Sequence, residues 1–203
     1  MNLKELKNEL LQHTKSSVDF FSSENKKPRE IWVVDQFLKN LGVKFHKDEI
    51  IPNTDDPPDV KYCGASFEIK ELSDEGRQRH REYKDYAKRL EKVEELSELT
   101  EPVHPMSATL QEVVTMIESN LASYLIDPAL CPRIDILYYV NLQDLYFLKN
   151  SEYSFNNKHI WQKWRSVSLV ENGKISVVLW ATKDAPDFIK ANLRIFHRRP
   201  AID

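Results

Sequence analysis

The chain has 203 residues, 41% hydrophobic, 30% charged and 10% aromatic, and 29 Lys and Arg stand against 32 Asp and Glu for a formal net charge of −3. The apolar fraction excludes a disordered chain, and four glycines with ten prolines exclude collagen-like or linker material. A chain this long buries roughly 70% of its unfolded surface, so one domain needs no disulfide or metal staple.

The two cysteines, Cys63 and Cys131, form neither a disulfide framework nor a metal-ligand cluster, which points to a reducing compartment. The opening MNLKELKNELLQHT lacks the apolar core of a signal peptide. The longest apolar runs, such as IDILYYV at 134–140, are far short of a membrane span. The expectation is a soluble cytoplasmic protein without a membrane partner. The near-neutral charge neither announces nucleic acid nor excludes it, because local patches matter more than the sum.

In chain order, residues 2–24 read as an amphipathic helix, with Leu3, Leu6, Leu10, Val18 and Phe21 near helical spacing. Pro28 opens a second helix that runs to Leu41, and Gly42 stops it. Val34, Phe37, Leu38 and Leu41 form its apolar face, with Glu30 at the N-terminal end of the same stripe. Residues 43–51 are strand-like. The loop PNTDDPPD follows, then two short strands, 59–62 and 66–71, flanking Gly64 as a hairpin. Residues 73–99 form a charged helix or helix pair, with seven Lys and Arg against three Asp and Glu over 77–92. Ser107 caps the next helix, whose stripe of Leu110, Val113, Val114, Ile117, Leu121 and Leu125 runs until Pro128 and Pro132 end it. A buried strand at 134–140 then suggests an α/β crossover. Residues 144–163 give no clear pattern. Strands 165–170 and 175–181 pair around Asn172-Gly173, and Asp184 opens a last helix.

The fold expected is α/β, a central mixed sheet flanked by helices. It is one domain over 1–203, with a helical arm at 1–25 and a charged helical excursion at 73–99. The strand bearing Phe67 and Ile69 should be central, with both faces covered, so the charges of Glu68 and Lys70 on it need a reason.

The chemistry lies in Pro58-Asp59, then eight intervening residues, then Glu68-Ile69-Lys70. Phosphodiester hydrolysis needs a hard cation on carboxylate oxygens, a water beside it and positive charge near phosphorus. On a hairpin Asp59 can face Glu68, and Lys70 projects from the same face as Glu68. The Ile69 carbonyl can add an oxygen.

This motif, in its order of helix, strand, hairpin, helix and strand, resembles the PD-(D/E)XK nuclease superfamily. Further segments, Arg29-Glu30-x-Trp32, Pro57-Pro58-Asp59-Val60, Asp74-Glu75-Gly76-Arg77, Trp164-Arg165-Ser166 and Asp184-Ala185-Pro186-Asp187-Phe188, are similar to an uncharacterised bacterial family. That family is a domain of unknown function labelled an endonuclease on fold-level resemblance, and the likeness runs from about residue 26 to 194. The resemblance implies that Asp59 and Glu68 bind Mg²⁺ or Mn²⁺, that Glu30 completes the site, and that Lys70 orients or activates the water. Nucleic acid, DNA first, is the implied partner. A homodimer would suit cutting two strands.

Arg77, Arg81, Lys84 and Lys88 fall at helical spacing and could contact phosphates. Each feature has a plainer alternative. Asp59 could be a turn residue, Glu68 and Lys70 a solvated pair, Glu30 a first-turn carboxylate, and the basic stretch a solvated helix face. At the level of function, the alternative is an inactive nuclease-fold protein serving as a nucleic-acid-binding, regulatory or protein-interaction module.

Overall fold

Asn2 opens the first helix, α1 (Leu3–Phe20). Its side chain accepts the Glu5 N–H at 2.9 Å, and the Glu5 carboxylate takes the Asn2 N–H at 3.1 Å. That reciprocal box satisfies two donors a helix start leaves orphaned. The computed structural model describes residues 2–74, 76, 78–99, 106–142, 145–171 and 173–199. Helix α2 (Lys26–Asn40) follows, and Gly42 at φ +70° leaves it in the left-handed region that a side chain disfavours. Val34, Phe37, Leu38 and Leu41 are buried as expected, and so is Glu30.

Residues 43–51 depart from the strand expected there. They hold a 3-10 turn (Lys47–Glu49), and strand β1 is only Ile51–Pro52. The charged run Lys47-Asp48-Glu49 breaks the alternation, and the Glu49 carboxylate takes the His46 N–H at 2.8 Å, which favours a turn. The hairpin is present as β2 (Val60–Tyr62) and β3 (Ala65–Leu72). Cys63 and Gly64 both have positive φ, 42° and 78°, as the two-residue turns matched to strand twist require.

Next come α3 (Arg79–Lys92), a 3-10 turn (Leu96–Leu99), β4 (Met106–Thr109) and α4 (Leu110–Ser123). Thr109 caps α4 where Ser107 was expected, because Thr109 and Glu112 form a capping box while Ser107 lies within β4. Strand β5 (Asp135–Val140), β6 (Leu145–Lys149), α5 (Lys158–Gln162), β7 (Ser166–Glu171) and β8 (Ile175–Ala181) follow. Asn172, expected in the turn between β7 and β8, lies outside the described residues. The last helix, α6, is confined to Asp187–Lys190 with Pro186 as its cap, and β9 (Phe196–Arg198) closes the order.

Among the described residues seven strands form one mixed sheet in the order β1-β2-β3-β5-β7-β8-β9. Strands β3, β5 and β7 run parallel, and the flanking pairs are antiparallel. A separate parallel pair joins β4 to β6. One face of the sheet carries Leu72, Ile136, Tyr138, Val167, Leu169 and Val177 into a core with Val113, Val114 and Ile117 of α4. On the other face Phe37 of α2 meets Phe67 edge-on at 5.8 Å, and Trp32 meets Tyr139 at 5.7 Å. Strand β3 is therefore covered on both faces, as a central strand of an α/β sheet should be.

The chain divides into two compact units, one from Met1–Arg29 with Glu75–His104 and the other from Glu30–Asp74 with Pro105–Asp203. The N-terminal arm and the charged excursion thus share a unit. Within it Phe21 stacks on Tyr83 at 5.6 Å, and the Lys7 ammonium donates to the carbonyls of Glu91 and Val93. No described helix is long and apolar enough to cross a membrane.

Asp135, fully buried on β5, is held by the Arg165 guanidinium through Nε at 3.0 Å and through Nη2, by Ser166 Oγ at 2.7 Å and by the Ser66 N–H at 2.8 Å. Removing one partner of a buried pair strands the other, so Asp135→Asn should cost about 3–5 kcal/mol in urea unfolding. Glu171, buried at the end of β7, has its carboxyl pushed up to about 7 by desolvation, against the pull of Lys174 and Arg198. A folded pKa above the unfolded value means this group's stability is fully present below the unfolded pKa and is lost as pH rises toward 7. Glu171→Gln should match the parent near the unfolded carboxyl pKa and exceed it by about 2–3 kcal/mol at alkaline pH, measured by denaturant titration across that range.

Candidate active site

The site is built where β2 and β3 part. Asp59, just before β2, donates its N–H to the Phe67 carbonyl at 2.9 Å, and its Oδ2 accepts the Ile69 N–H at 2.9 Å. The carboxylate thereby stands in for the next backbone acceptor of the ladder. Because the N–H and C=O of one strand residue share an edge, the Ile69 carbonyl lies on the same edge as this carboxylate. The loop before it is folded around Asn53, whose side-chain amide donates to the carbonyls of Asp55 and Pro58 and whose N–H donates to the Asp59 carbonyl at 2.8 Å.

Glu68 and Lys70 point to the opposite face from Phe67, toward α4. Glu68 is 3% exposed. Its Oε1 receives two donors, the Lys70 ammonium at 2.7 Å and the Tyr124 hydroxyl at 2.8 Å. Its Oε2 is buried and has no hydrogen-bond partner among the described residues. Leaving a buried carboxylate oxygen unpaired is costly, so such an atom needs an explanation.

Tyr124 reaches this point because α4 ends one residue earlier. As the C-cap it is extended (ψ 118°), well before the prolines expected to end the helix. The Lys70 ammonium sits 4.0 Å from the centroid of its ring, a cation–π distance. Trp164 stacks on the same ring at 5.8 Å. Burial pulls the Lys70 pKa down, but hydrogen bonds to Glu68 and Tyr124 and the Glu68 charge outweigh it, so the net shift is upward and Lys70 is a cation at neutral pH. For Tyr124, desolvation raises the phenol pKa; Lys70 lowers it and Glu68 raises it, again with a net upward shift.

Among the described residues, one oxygen each from Asp56, Asp59 and Glu68 lies within 4.8 Å of the others. Ligands across an octahedral Mg²⁺ stand roughly 4.2 Å apart, so the spacing is close to that of one hard cation, and all donors are the oxygens such ions prefer. With the orphaned Glu68 Oε2, this donor set fits a divalent cation.

The expected residues thus divide. Asp59, Glu68, Lys70 and the Ile69 backbone come together. Glu30 is buried on α2 but is not among the three converging carboxylates. Arg81 and Lys88 are exposed on α3 and share Asp85 at 3.8 and 3.7 Å; Lys84 is also exposed and lines a groove with Lys15 and Val18. These three belong to the unit that does not contain the carboxylates. Arg77 lies outside the described residues. Sequence reasoning missed Asp56 and Tyr124. The run Asp55-Asp56-Pro57-Pro58-Asp59 signals a turn and carries the first; no local pattern signals the second.

A family profile described as "Putative endonuclease, protein of unknown function (DUF1780)" matches residues 3–201. Curated proteins yield no match. Among solved structures, a protein of unknown function from Pseudomonas aeruginosa strain PAO1, described as Monooxygenase Superfamily, aligns with a TM-score of 0.64 and 23% identity over 99% of this chain and 98% of that one. At that identity the likeness speaks for the fold alone.

A cation that binds only the folded chain stabilises it by about 2.7 kcal/mol at a hundredfold excess over its Kd. Saturating Mn²⁺ should therefore raise the melting temperature by roughly 5–10 °C over the chelated protein. Asp56→Asn should shrink that rise while slightly raising the chelated melting temperature, because it relieves carboxylate repulsion.

Proposed function

The chain belongs to the DUF1780 family, and from that premise we propose that it is a divalent-cation-dependent nuclease of the PD-(D/E)XK type, hydrolysing phosphodiester bonds in nucleic acid. The observation that carries the reading is Glu68: a carboxylate 3% exposed, with one oxygen doubly satisfied and the other unpaired, grouped with Asp59 and Asp56.

In this reading Asp59 and Glu68 hold Mg²⁺ or Mn²⁺, with the Ile69 carbonyl on the same strand edge and Asp56 offered from the loop. When bound, the cation supplies Lewis acidity and a water made more nucleophilic. The chain's own residues do the rest. Asp59 is fixed by the Ile69 N–H, so its carboxylate has a defined direction. Lys70 is held beside Glu68 at 2.7 Å, where it can reach a water next to the carboxylates. Its ammonium can orient the attacking water and balance the negative charge that grows on the phosphoryl oxygens. Water adds to phosphorus and gives up a proton to solvent, while the bond to the leaving oxygen breaks and that oxygen takes a proton from solvent to depart as a hydroxyl. The basic residues Arg81, Lys84 and Lys88 are proposed as backbone contacts for the nucleic acid, DNA first.

The test is cleavage of single- and double-stranded DNA and RNA by purified protein with Mg²⁺ or Mn²⁺, beside Asp59→Asn, Glu68→Gln and Lys70→Ala. Wild-type cutting should vanish with chelator, and each variant should lose at least about 100-fold while keeping its fold by circular dichroism. Equal cutting by wild type and Lys70→Ala would expose a contaminant and overturn the assignment. Salt-sensitive nucleic-acid binding without cutting, indifferent to chelator and to Glu68→Gln, would instead establish a binding module on a nuclease-like fold.

A further inference from the structure

We propose that Tyr124 is a positioning residue of the carboxylate site, fixing which oxygen of Glu68 is left for a cation and where the Lys70 ammonium stands. The proposal rests on the cation-site reading above and adds a residue outside the Asp-Glu-Lys motif.

The geometry argues it in three steps. First, the hydroxyl of Tyr124 and the ammonium of Lys70 converge on the same oxygen, Glu68 Oε1. The last torsion of a glutamate is broad and roughly two-fold, so nothing intrinsic to the side chain distinguishes its oxygens. Two donors on one side do. They assign Oε1 to the protein and leave Oε2 unpartnered. Second, the ring of Tyr124 lies 4.0 Å from the Lys70 ammonium, so the same residue that holds Glu68 also seats the lysine. Third, the ring does not float. Trp164 stacks on it at an interplanar angle of 21°, and the Tyr124 N–H is anchored to the Leu121 carbonyl at 3.4 Å at the end of α4. A phenol held by packing and aimed at a carboxylate is the arrangement by which outer partners orient metal ligands.

A residue that only packed on Trp164 would serve equally well as phenylalanine. Tyr124→Phe keeps the ring, its stack and its place under Lys70, and removes the single hydrogen bond to Glu68. The experiment is Mn²⁺ titration of metal-free wild type, Tyr124→Phe and Glu68→Gln, followed by electron paramagnetic resonance of the free ion, with thermal unfolding of each chelated protein alongside. Tyr124→Phe should weaken Mn²⁺ binding by about 10–100-fold at a nearly unchanged unfolding midpoint, and Glu68→Gln should abolish binding. Wild-type binding with the same affinity in Tyr124→Phe would overturn the positioning role and leave the cation site standing. Absence of Mn²⁺ binding by wild type would overturn the cation site and this role together.

Discussion

Burial of the Glu68 carboxylate in a strand covered on both faces is the constraint around which this structure is arranged. A charge in such a place is destabilising unless it is paired and hydrogen-bonded. Lys70 and Tyr124 meet that demand on one oxygen only. The pairing draws on three parts of the chain: the strand itself, the end of α4, and, through Trp164, the segment before β7. The crossover from β3 through α4 to the parallel β5 is what allows it. It returns α4 over the sheet face that carries Glu68, so a residue 56 positions away in sequence arrives within hydrogen-bond distance.

The other half of the site depends on β2 being short. Pairing between β2 and β3 runs from Ala65 to Phe67 and then stops. Beyond that point no strand among the described residues lies beside this edge of β3, and the Asp59 side chain takes the Ile69 N–H that a neighbouring strand would have taken. The loop that carries Asp55 to Pro58 is tied back by Asn53. An edge that would otherwise expose backbone groups is converted into a place where carboxylate and carbonyl oxygens gather.

The parts legible in the sequence were those whose signal is local. Helical periodicity located α2 and α4, alternation located β3, β7 and β8, and the Asp59, Glu68 and Lys70 spacing located the motif hairpin. Glu30, placed by the sequence at the N-terminal end of the stripe of Val34 and Phe37, is buried with them. Failures came where local and tertiary preferences compete. Residues 43–51 carry strand formers but also a Lys-Asp-Glu run that a turn accommodates better. Ser107 and Thr109 are both plausible caps, and the partner three residues on decides for Thr109. Tyr124 could not be found from sequence, since its role arises only when α4 folds back over β3. Asp56 hid in turn chemistry that fully accounts for an aspartate there.

Buried carboxylates in this chain fall into two kinds, and Asp35 on α2 shares the Glu68 pattern, with Gln36 and Lys39 donating to Oδ2 while Oδ1 has no partner among the described residues. Asp135 occupies the neighbouring strand and is satisfied by Arg165, Ser166 and the Ser66 N–H. Glu118 on α4 is satisfied by the N–H groups of Asn156 and Asn157 and by the Trp161 indole at 3.2 Å. Both hold structure, and in both the fold brings donors to each oxygen. The same fold brings two donors to Glu68 Oε1, both sequestered on one side, and leaves Oε2 without any. What sets Glu68 apart from Asp35 is its company, because its group includes Asp56 and Asp59. Leaving one oxygen bare beside two other acids costs free energy that a cation in that position would return.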